Sequence, residues 1–457
     1  MTVASTPGAA DTTVRSLSAA LRSGATTAQA LTEAALARAT DPLGEGARVF
    51  TRLEVQGARA AAMASDLLRP WQGPRSVLDG LPVSVKDLFD IAGQPTPAGS
   101  RVLADAAPAV RSATVVRRLQ AAGAVIVGRT NMTEFAYSGL GLNPHHGTPL
   151  NPWDRATGRI PGGSSSGAAV SVSDGMAVAA IGSDTGGSVR IPAALCGLAG
   201  FKPTARRVSL EGVLPLSTHL DSIGPIARSV ACCAEVDALL AGDGDAVTAP
   251  ARLRGLRLLV PQTVALDDLE AEVAAAFASS LSRLSAAGVR IDEQPLPVLS
   301  RLASINARGG FTAAEAWAWH RDLIARAGDR YDPRVVSRIR RGEAMSAADL
   351  IDVIQARRAW VDEVNQALAG HDAMLMPTVP LVAPALQPLQ DSDDGYGRAN
   401  LLMLRNPTLI NFLDGCALSL PCHRPGDAPV GLMVAGVGGA DRRILAIGLA
   451  IEQALRH

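Results

Sequence analysis

The chain has 457 residues, 43 of them basic and 43 acidic, so no net charge draws it to a polyanion or an anionic membrane surface, and nucleic acid is not expected as a partner. Apolar residues make up 47% and aromatics only 3%, a composition too apolar for disorder, which calls for a core of Ala, Val, Leu and Ile. The opening MTVASTPGAADTT has neither a basic region nor an apolar run, and no segment approaches the ~20 apolar residues of a membrane span, so a cytoplasmic protein is expected.

Residues 13 to 40 carry apolar positions at helical spacing, with a helix start at Thr26–Thr27, and predict an outer helical layer. From Gly80 the pattern changes. LPVSV alternates as a strand, TVVRRLQAAG (114–123) is an amphipathic helix ending on Gly123, and AVIVG (124–128) is a buried strand. Strand, helix, strand in that order predicts helices packed on a sheet, hence an α/β fold. The glycine- and serine-rich region from Gly139 to Gly200 contains AVSVSDGMAVAAIGSD, a helix followed by a strand. LRGLRLLVP (253–261) predicts a strand and EAEVAAAFASSLSRLSAAG (270–288) the helix after it. Residues 311 to 370 predict helices, DAMLMPTVP (372–380) and PVGLMVAGV (429–437) late strands, and RRILAIGLAIEQAL a closing helix. No repeat or low-complexity linker divides the chain, so residues 1–457 are expected to form one domain around one sheet.

Only two of the basic residues are lysines, Lys86 and Lys202. A bias so strong toward arginine suggests a GC-rich genome and leaves lysine where a guanidinium cannot serve, as a group that can be neutral or as a compact cation in a tight pocket. Five cysteines, an odd number without metal-ligand spacing, fit a reducing compartment. PGGSSSG (161–167) reads as a flexible loop, or formally as a G-x-S-x-G nucleophile elbow through Gly163, Ser165 and Gly167. The elbow needs a buried strand before it, and DRATGRIP is charged and interrupted. It also needs a histidine, and none of His219, His320, His371 and His423 stands out by context. In GSDTGGSVRIP (182–192) an apolar strand runs into glycines that can turn successive N–H groups toward one point. That suits an oxyanion hole closed by a serine, an anion nest, or a tight strand-to-helix connection. A Walker motif would need Gly-Lys-Ser/Thr, which is absent. A serine nucleophile needs a base, and a buried neutral lysine can supply it. Together these segments make one hypothesis: Ser188 attacks and Lys86 takes the proton, with the PGGSSSG loop between them.

LPVSVKDLFDIAG, PGGSSSG, GSDTGGSVRIPAALCGLAGFKPT and RVSLEGVLPLSTHLDSIGP, in that order, resemble the amidase signature family of serine amidohydrolases. The similarity is strong over residues 80–230, with Ser188 placed 24 residues after Ser164 as in the family, and DAMLMPTVP and PVGLMVAGV with GGADRRIL extend it over nearly the whole chain. The resemblance implies a single α/β/α domain with a mixed, mostly parallel sheet flanked by helices. It implies Ser188 as the acyl-forming nucleophile, Ser164 at a cis peptide as the bridging hydroxyl, and Lys86 as the terminal base. The N–H groups of Thr185, Gly186, Gly187 and Ser188 become the oxyanion hole, Ser165, Asp184 and Arg190 its supports, and Ala136 and Tyr137 the lining of the acyl pocket. Lys202 has no catalytic role in the resemblance and is read as structural. No metal or organic cofactor is implied, and the expected state is a monomer or homodimer.

The family resemblance leaves the substrate open among small amides, aryl amides, esters and carbamates (urethanes), so urethanase and aryl acylamidase activities both fit. Specificity is expected from residues 310–345, where Phe311, Trp317 and Trp319 suggest a hydrophobic or aromatic group on the leaving side. The first alternative is the glutamine-hydrolysing component of a tRNA-dependent amidotransferase, against which RIPAALCGLAGFKPTARRVSLEGVLPLS reads as a stand-alone amidase. The second is an inactive binding protein on the same scaffold, against which the three triad positions are intact.

Overall fold

The computed structural model describes residues 12–456, so the expectation about the first residues lies outside them. The N-terminal helical region is two helices. Val14–Ser23 starts at a reciprocal Thr13–Ser16 cap and stops where Gly24 takes a left-handed φ of 74°, and Thr27 caps the second, Ala28–Thr40. Eleven strands follow: β1 (Phe50–Leu53), β2 (Pro82–Lys86), β3 (Val125–Thr130), β4 (Ala179–Asp184), β5 (Ala199–Lys202), β6 (Ser222–Ala227), β7 (Arg257–Pro261), β8 (Arg290–Gln294), β9 (Ala373–Pro377), β10 (Cys416–Pro421) and β11 (Gly431–Gly436). They form one sheet in the order β1-β3-β2-β4-β6-β5-β10-β11-β9-β7-β8. Helices flank it, as the α/β reading expects. Gly200 of β5 and Gly431 of β11 give the helix Arg190–Leu195 close access, and Leu418 of β10 meets the closing helix Asp441–Ala454 at Gly448.

The sheet is mixed but not mostly parallel. The parallel pairs are β3–β2, β2–β4, β9–β7 and β7–β8; the remaining six pairings are antiparallel. The centre differs from expectation because β5, β6 and β10 are not legible in the sequence. β6 contains Gly224 and Pro225, residues that argue against a central strand. It is tolerated because β5 pairs only with Ile226 and Ala227, so Pro225 lies just beyond that ladder.

The long helix Asp393–Leu413 also escapes sequence reading, since it carries two glycines in its first turns and Pro407 inside. Tertiary packing stabilises it: Met403, Leu409, Ile410, Phe412 and Leu413 are buried in the core.

Candidate active site

β2 and β4 are neighbours and parallel, with Val83 opposite Ala179 and Val85 opposite Ile181, so their carboxyl ends emerge together at one edge of the sheet. That register brings Lys86, the last residue of β2, beside Ser183 of β4. Lys86 is fully buried and its Nζ donates to Ser164 Oγ at 2.7 Å and to Ser183 Oγ at 2.9 Å. Burial disfavours the ammonium and lowers its pKa to about 7, although Asp184 and Asp221 pull the other way.

The glycine–serine loop leads into the helix Ser166–Ser173 and its Gly163–Ser164 peptide is cis. Thr133 N donates to Ser164 O at 3.0 Å, which fixes the loop from a second side. Ser165 N donates to Ser188 O at 3.3 Å and Ser165 Oγ to Ser183 O at 3.4 Å, so Ser165 ties the two loops together. This is the serine the elbow pattern would make the nucleophile, and it is fully buried. Among the described residues no hydrogen bond joins the Ser188 hydroxyl to Ser164.

The loop from Asp184 to Arg190 wraps around one carboxylate. Asp184 Oδ1 accepts from Gly187 N (2.9 Å), Arg190 Nη2 (2.9 Å) and Asn411 Nδ2 (2.9 Å); Oδ2 accepts from Val189 N (3.1 Å), Arg190 N (3.3 Å) and Arg190 Nε (3.0 Å). Burial alone would raise this carboxyl, but Arg190, Lys202 and Asn411 overcome it and hold it below the usual range. The Gly187 N–H is thereby already engaged, whereas no hydrogen bond among the described residues occupies the N–H of Thr185, Gly186 or Ser188. Of the four N–H groups expected as an oxyanion hole, three are thus without a hydrogen bond among the described residues and that of Gly187 is held by Asp184. Gly187 has a φ of 121°, and a Cβ there would lie 2.5 Å from Pro407 Cβ. Gly187→Ala is expected to displace the loop and lower kcat about 100-fold with an unchanged circular dichroism spectrum, measured by steady-state kinetics.

Two contributors escape the sequence reading. Ser183 immediately precedes Asp184, and strand alternation is the available signal for it. Asp221, in the LDSIGP segment, accepts from Thr185 Oγ1 at 2.5 Å and from Leu216 N and Ser217 N, and burial raises its pKa to about 6. Lys202 is also buried; its Nζ donates to the carbonyls of Pro203 and Gly415, both at 2.7 Å. Both lysines thus place a compact cation or amine where the wider guanidinium does not fit the same contacts.

A cleft of about 380 Å³ opens onto Ser188, Thr185 and Gly186, with Ala136 and Tyr137 in its wall. Phe311 also lines it, but Trp317 and Trp319 do not; Trp319 packs on Phe135 and His320. The other walls come from residues 299–312 and from the helix Asp393–Leu413, whose Leu404 and Thr408 lie against Gly186. Three arginines, Arg338, Arg341 and Arg405, are in the lining, and no aspartate or glutamate is.

The Amidase family model matches residues 30–445. The chain belongs to the amidase family. It is similar to 2-amino-5-chloromuconic acid deaminase of Comamonas testosteroni, with 38% identity over 404 aligned positions covering 86% of each chain. It is 35% identical to the glutamyl-tRNA(Gln) amidotransferase A subunit of Chloroflexus aggregans, over 96% of each. A solved amidase structure superposes with a TM-score of 0.88 at 35% identity, covering 97% of this chain and 100% of that one. Membership of this amidase family makes the chain an amidohydrolase acting on C–N amide bonds. No helix among the described residues is long and apolar enough to cross a membrane.

Proposed function

We propose that Ser188 is the nucleophile of an acyl-transfer amidohydrolase, with Ser164 as proton bridge and Lys86 as base. The observation that carries this reading is Lys86: fully buried, 2.7 Å from Ser164 Oγ, with its pKa brought down to about 7. An amine poised near neutrality can accept a proton at working pH and return it. Ser188 Oγ bonds to the amide carbonyl carbon as its proton moves to Ser164 and the Ser164 proton moves to Lys86. The developing oxyanion meets the N–H groups of Thr185, Gly186 and Ser188. The relay runs backward to protonate the departing amine, the C–N bond breaks, and water hydrolyses the acyl-enzyme through the same base. Asp184 and Arg190 hold the loop in shape, Asp221 holds Thr185, and Ala136 and Tyr137 border the acyl group.

Substrates on this reading are small linear amides, with aryl amides, esters and carbamates as variants the apolar wall of the cleft accommodates. Of residues 310–345, Phe311, Thr312, Arg338 and Arg341 support a role in specificity because they line the cleft. A neutral fluorophosphonate is expected to label one residue, Ser188, and Ser188→Ala to abolish labelling, as read by intact mass. Labelling elsewhere, or no hydrolysis of any member of an amide, ester and carbamate panel, would refute the assignment.

The identity to glutamyl-tRNA(Gln) amidotransferase A subunits favours a second reading, hydrolysis of glutamine for a partner protein. The α-ammonium group of glutamine would find no carboxylate in the cleft lining, which weighs against it. Glutamine-only turnover that depends on a second protein would reverse that preference.

A further inference from the structure

We propose that the cleft selects amides bearing a carboxylate a few bonds from the scissile group, bound by Arg405 with Arg341 at the mouth. The proposal rests on the amidohydrolase reading and names the substrate class of that site. The chain as a whole carries no net charge, yet the cleft presents three guanidinium groups and no acidic side chain. None of the three forms an ion pair within 4 Å among the described residues. Arg338 is occupied otherwise: its Nη1 donates to Tyr137 O at 3.0 Å and its guanidinium lies 4.9 Å from the Tyr396 ring centre. Arg341 makes one long contact, Nη2 to Ala307 O at 3.5 Å, and is exposed.

Arg405 is the decisive residue. Its Nε donates to Asn406 Oδ1 at 3.1 Å, while its Nη2 is buried and has no hydrogen-bond partner among the described residues. Burial lowers its pKa, opposed at longer range by Asp267 and Asp268. Other arginines withdrawn from solvent in this protein each hold a carboxylate or a backbone carbonyl. Arg190 and Arg207 hold carboxylates, as do Arg69, which leaves Nε and Nη1 unpaired, and Arg129, which leaves Nη1 unpaired; Arg228 donates to two carbonyls. Arg405 lines the cleft and, among the described residues, holds neither a carboxylate nor a backbone carbonyl. A desolvated guanidinium with open donors is matched by a carboxylate, through charge-assisted and often bidentate hydrogen bonds.

Its place on the helix puts it near the oxyanion loop. Leu404 and Thr408 lie against Gly186 of the oxyanion loop, and Arg405 is adjacent to one and three residues before the other, on the same cleft-facing side. Arg405 and Ser188 line the same cleft of about 380 Å³, so a carboxylate on Arg405 and a carbonyl at Ser188 belong to one small ligand. The monoamide of a short dicarboxylic acid fits that description. A zwitterionic amino-acid amide fits it less well, since its ammonium group would face arginines alone.

The test compares succinamate with its neutral isostere 4-methylpentanamide on the intact enzyme, with fluorophosphonate labelling of Ser188 read in parallel. Wild type is expected to favour succinamate in kcat/KM by at least about tenfold, the scale of one charge-assisted contact. Arg405→Gln should bring the ratio toward one, Arg341→Gln should lower it in part, and Arg405→Lys should keep part of it. Succinate should protect wild type from the neutral fluorophosphonate and fail to protect the labelled Arg405→Gln protein. Equal turnover of the two amides by a labelled wild-type enzyme, or a preference that survives Arg405→Gln, overturns the carboxylate proposal alone. If Ser188 is not labelled and neither amide is cleaved, the amidohydrolase reading fails and this one with it.

Discussion

Lys86→Met is expected to lower kcat/KM by about 10²–10⁴-fold while leaving the fold intact, because it removes the proton acceptor and keeps an unbranched chain in the buried slot. Lys86→Arg should be equally inactive: a guanidinium keeps the charge, does not become neutral in the working range, and is too wide for contacts of 2.7 and 2.9 Å to Ser164 and Ser183. The pH dependence carries the same signature. Neutral Lys86 is the competent form and its pKa is about 7, so kcat/KM should rise through neutrality to a plateau and fall roughly tenfold per unit below it. Protonation of the amine is what removes activity on the acid side, and the residual activity of Lys86→Met should lack that limb. A flat profile between pH 5.5 and 8.5 with chemistry rate-limiting would remove the lysine base from the mechanism (both bounds being about one and a half units from the pKa). Because the relay acts as a unit, Ser164→Ala combined with Lys86→Met should cost little more than either alone.

Arg190→Met is expected to destabilise the protein by ~3–5 kcal/mol, since it leaves the fully buried Asp184 carboxylate without its paired guanidinium. At ~2.1 cal/mol/K of unfolding entropy per residue, a chain of 457 residues should lose about 3–5 °C in Tm. In wild type the Asp184 carboxyl is held below its ordinary 3.8, so its contribution is fully present above that value and fades as pH falls through the folded-state pKa. In Arg190→Met the unpaired carboxyl titrates upward, and the deficit against wild type should shrink as pH is lowered from 7 toward 4 (about the ordinary carboxyl value). Differential scanning calorimetry across that range measures both; a Tm within ~1 °C of wild type would show that the pair contributes little. Activity should fall as well, because the same carboxylate holds the N–H groups of Gly187 and Val189 in the loop that carries Ser188.

The local signals in the sequence are of two kinds. Where a strand is mostly apolar, as in β2, β4, β9 and β11, or where an apolar helical stripe stops just before a glycine, as in Ala271–Ala286 ahead of Gly288, the pattern locates the element within a few residues. β5, β6, β10 and the helix Asp393–Leu413 carry glycine, proline or no periodicity, and only long-range packing makes them regular. They include most of the antiparallel half of the sheet, which is why the chain order suggests a mostly parallel one. The aromatic residues show the same limit. Phe311 enters the cleft and Trp317 and Trp319 do not, a distinction set by how the helix Gly310–Ala327 is turned against its neighbours.

By itself, the sequence determined the amidase membership and the α/β class, and it singled out one lysine and two serines by motif order and lysine scarcity. It could do so because tight turns and buried strand ends restrict residue types locally, leaving glycines, serines and a scarce lysine readable at fixed positions. Only the tertiary structure decided that Ser183 and Asp221 join the site, that Gly187 gives its N–H to Asp184, and that Arg405 faces the cleft beside Gly186. Those facts follow from the parallel register of β2 on β4 and from a helix more than 200 residues downstream crossing the oxyanion loop. Register and crossing are properties of pairs of elements, settled by mutual packing, and no single segment of the chain encodes them.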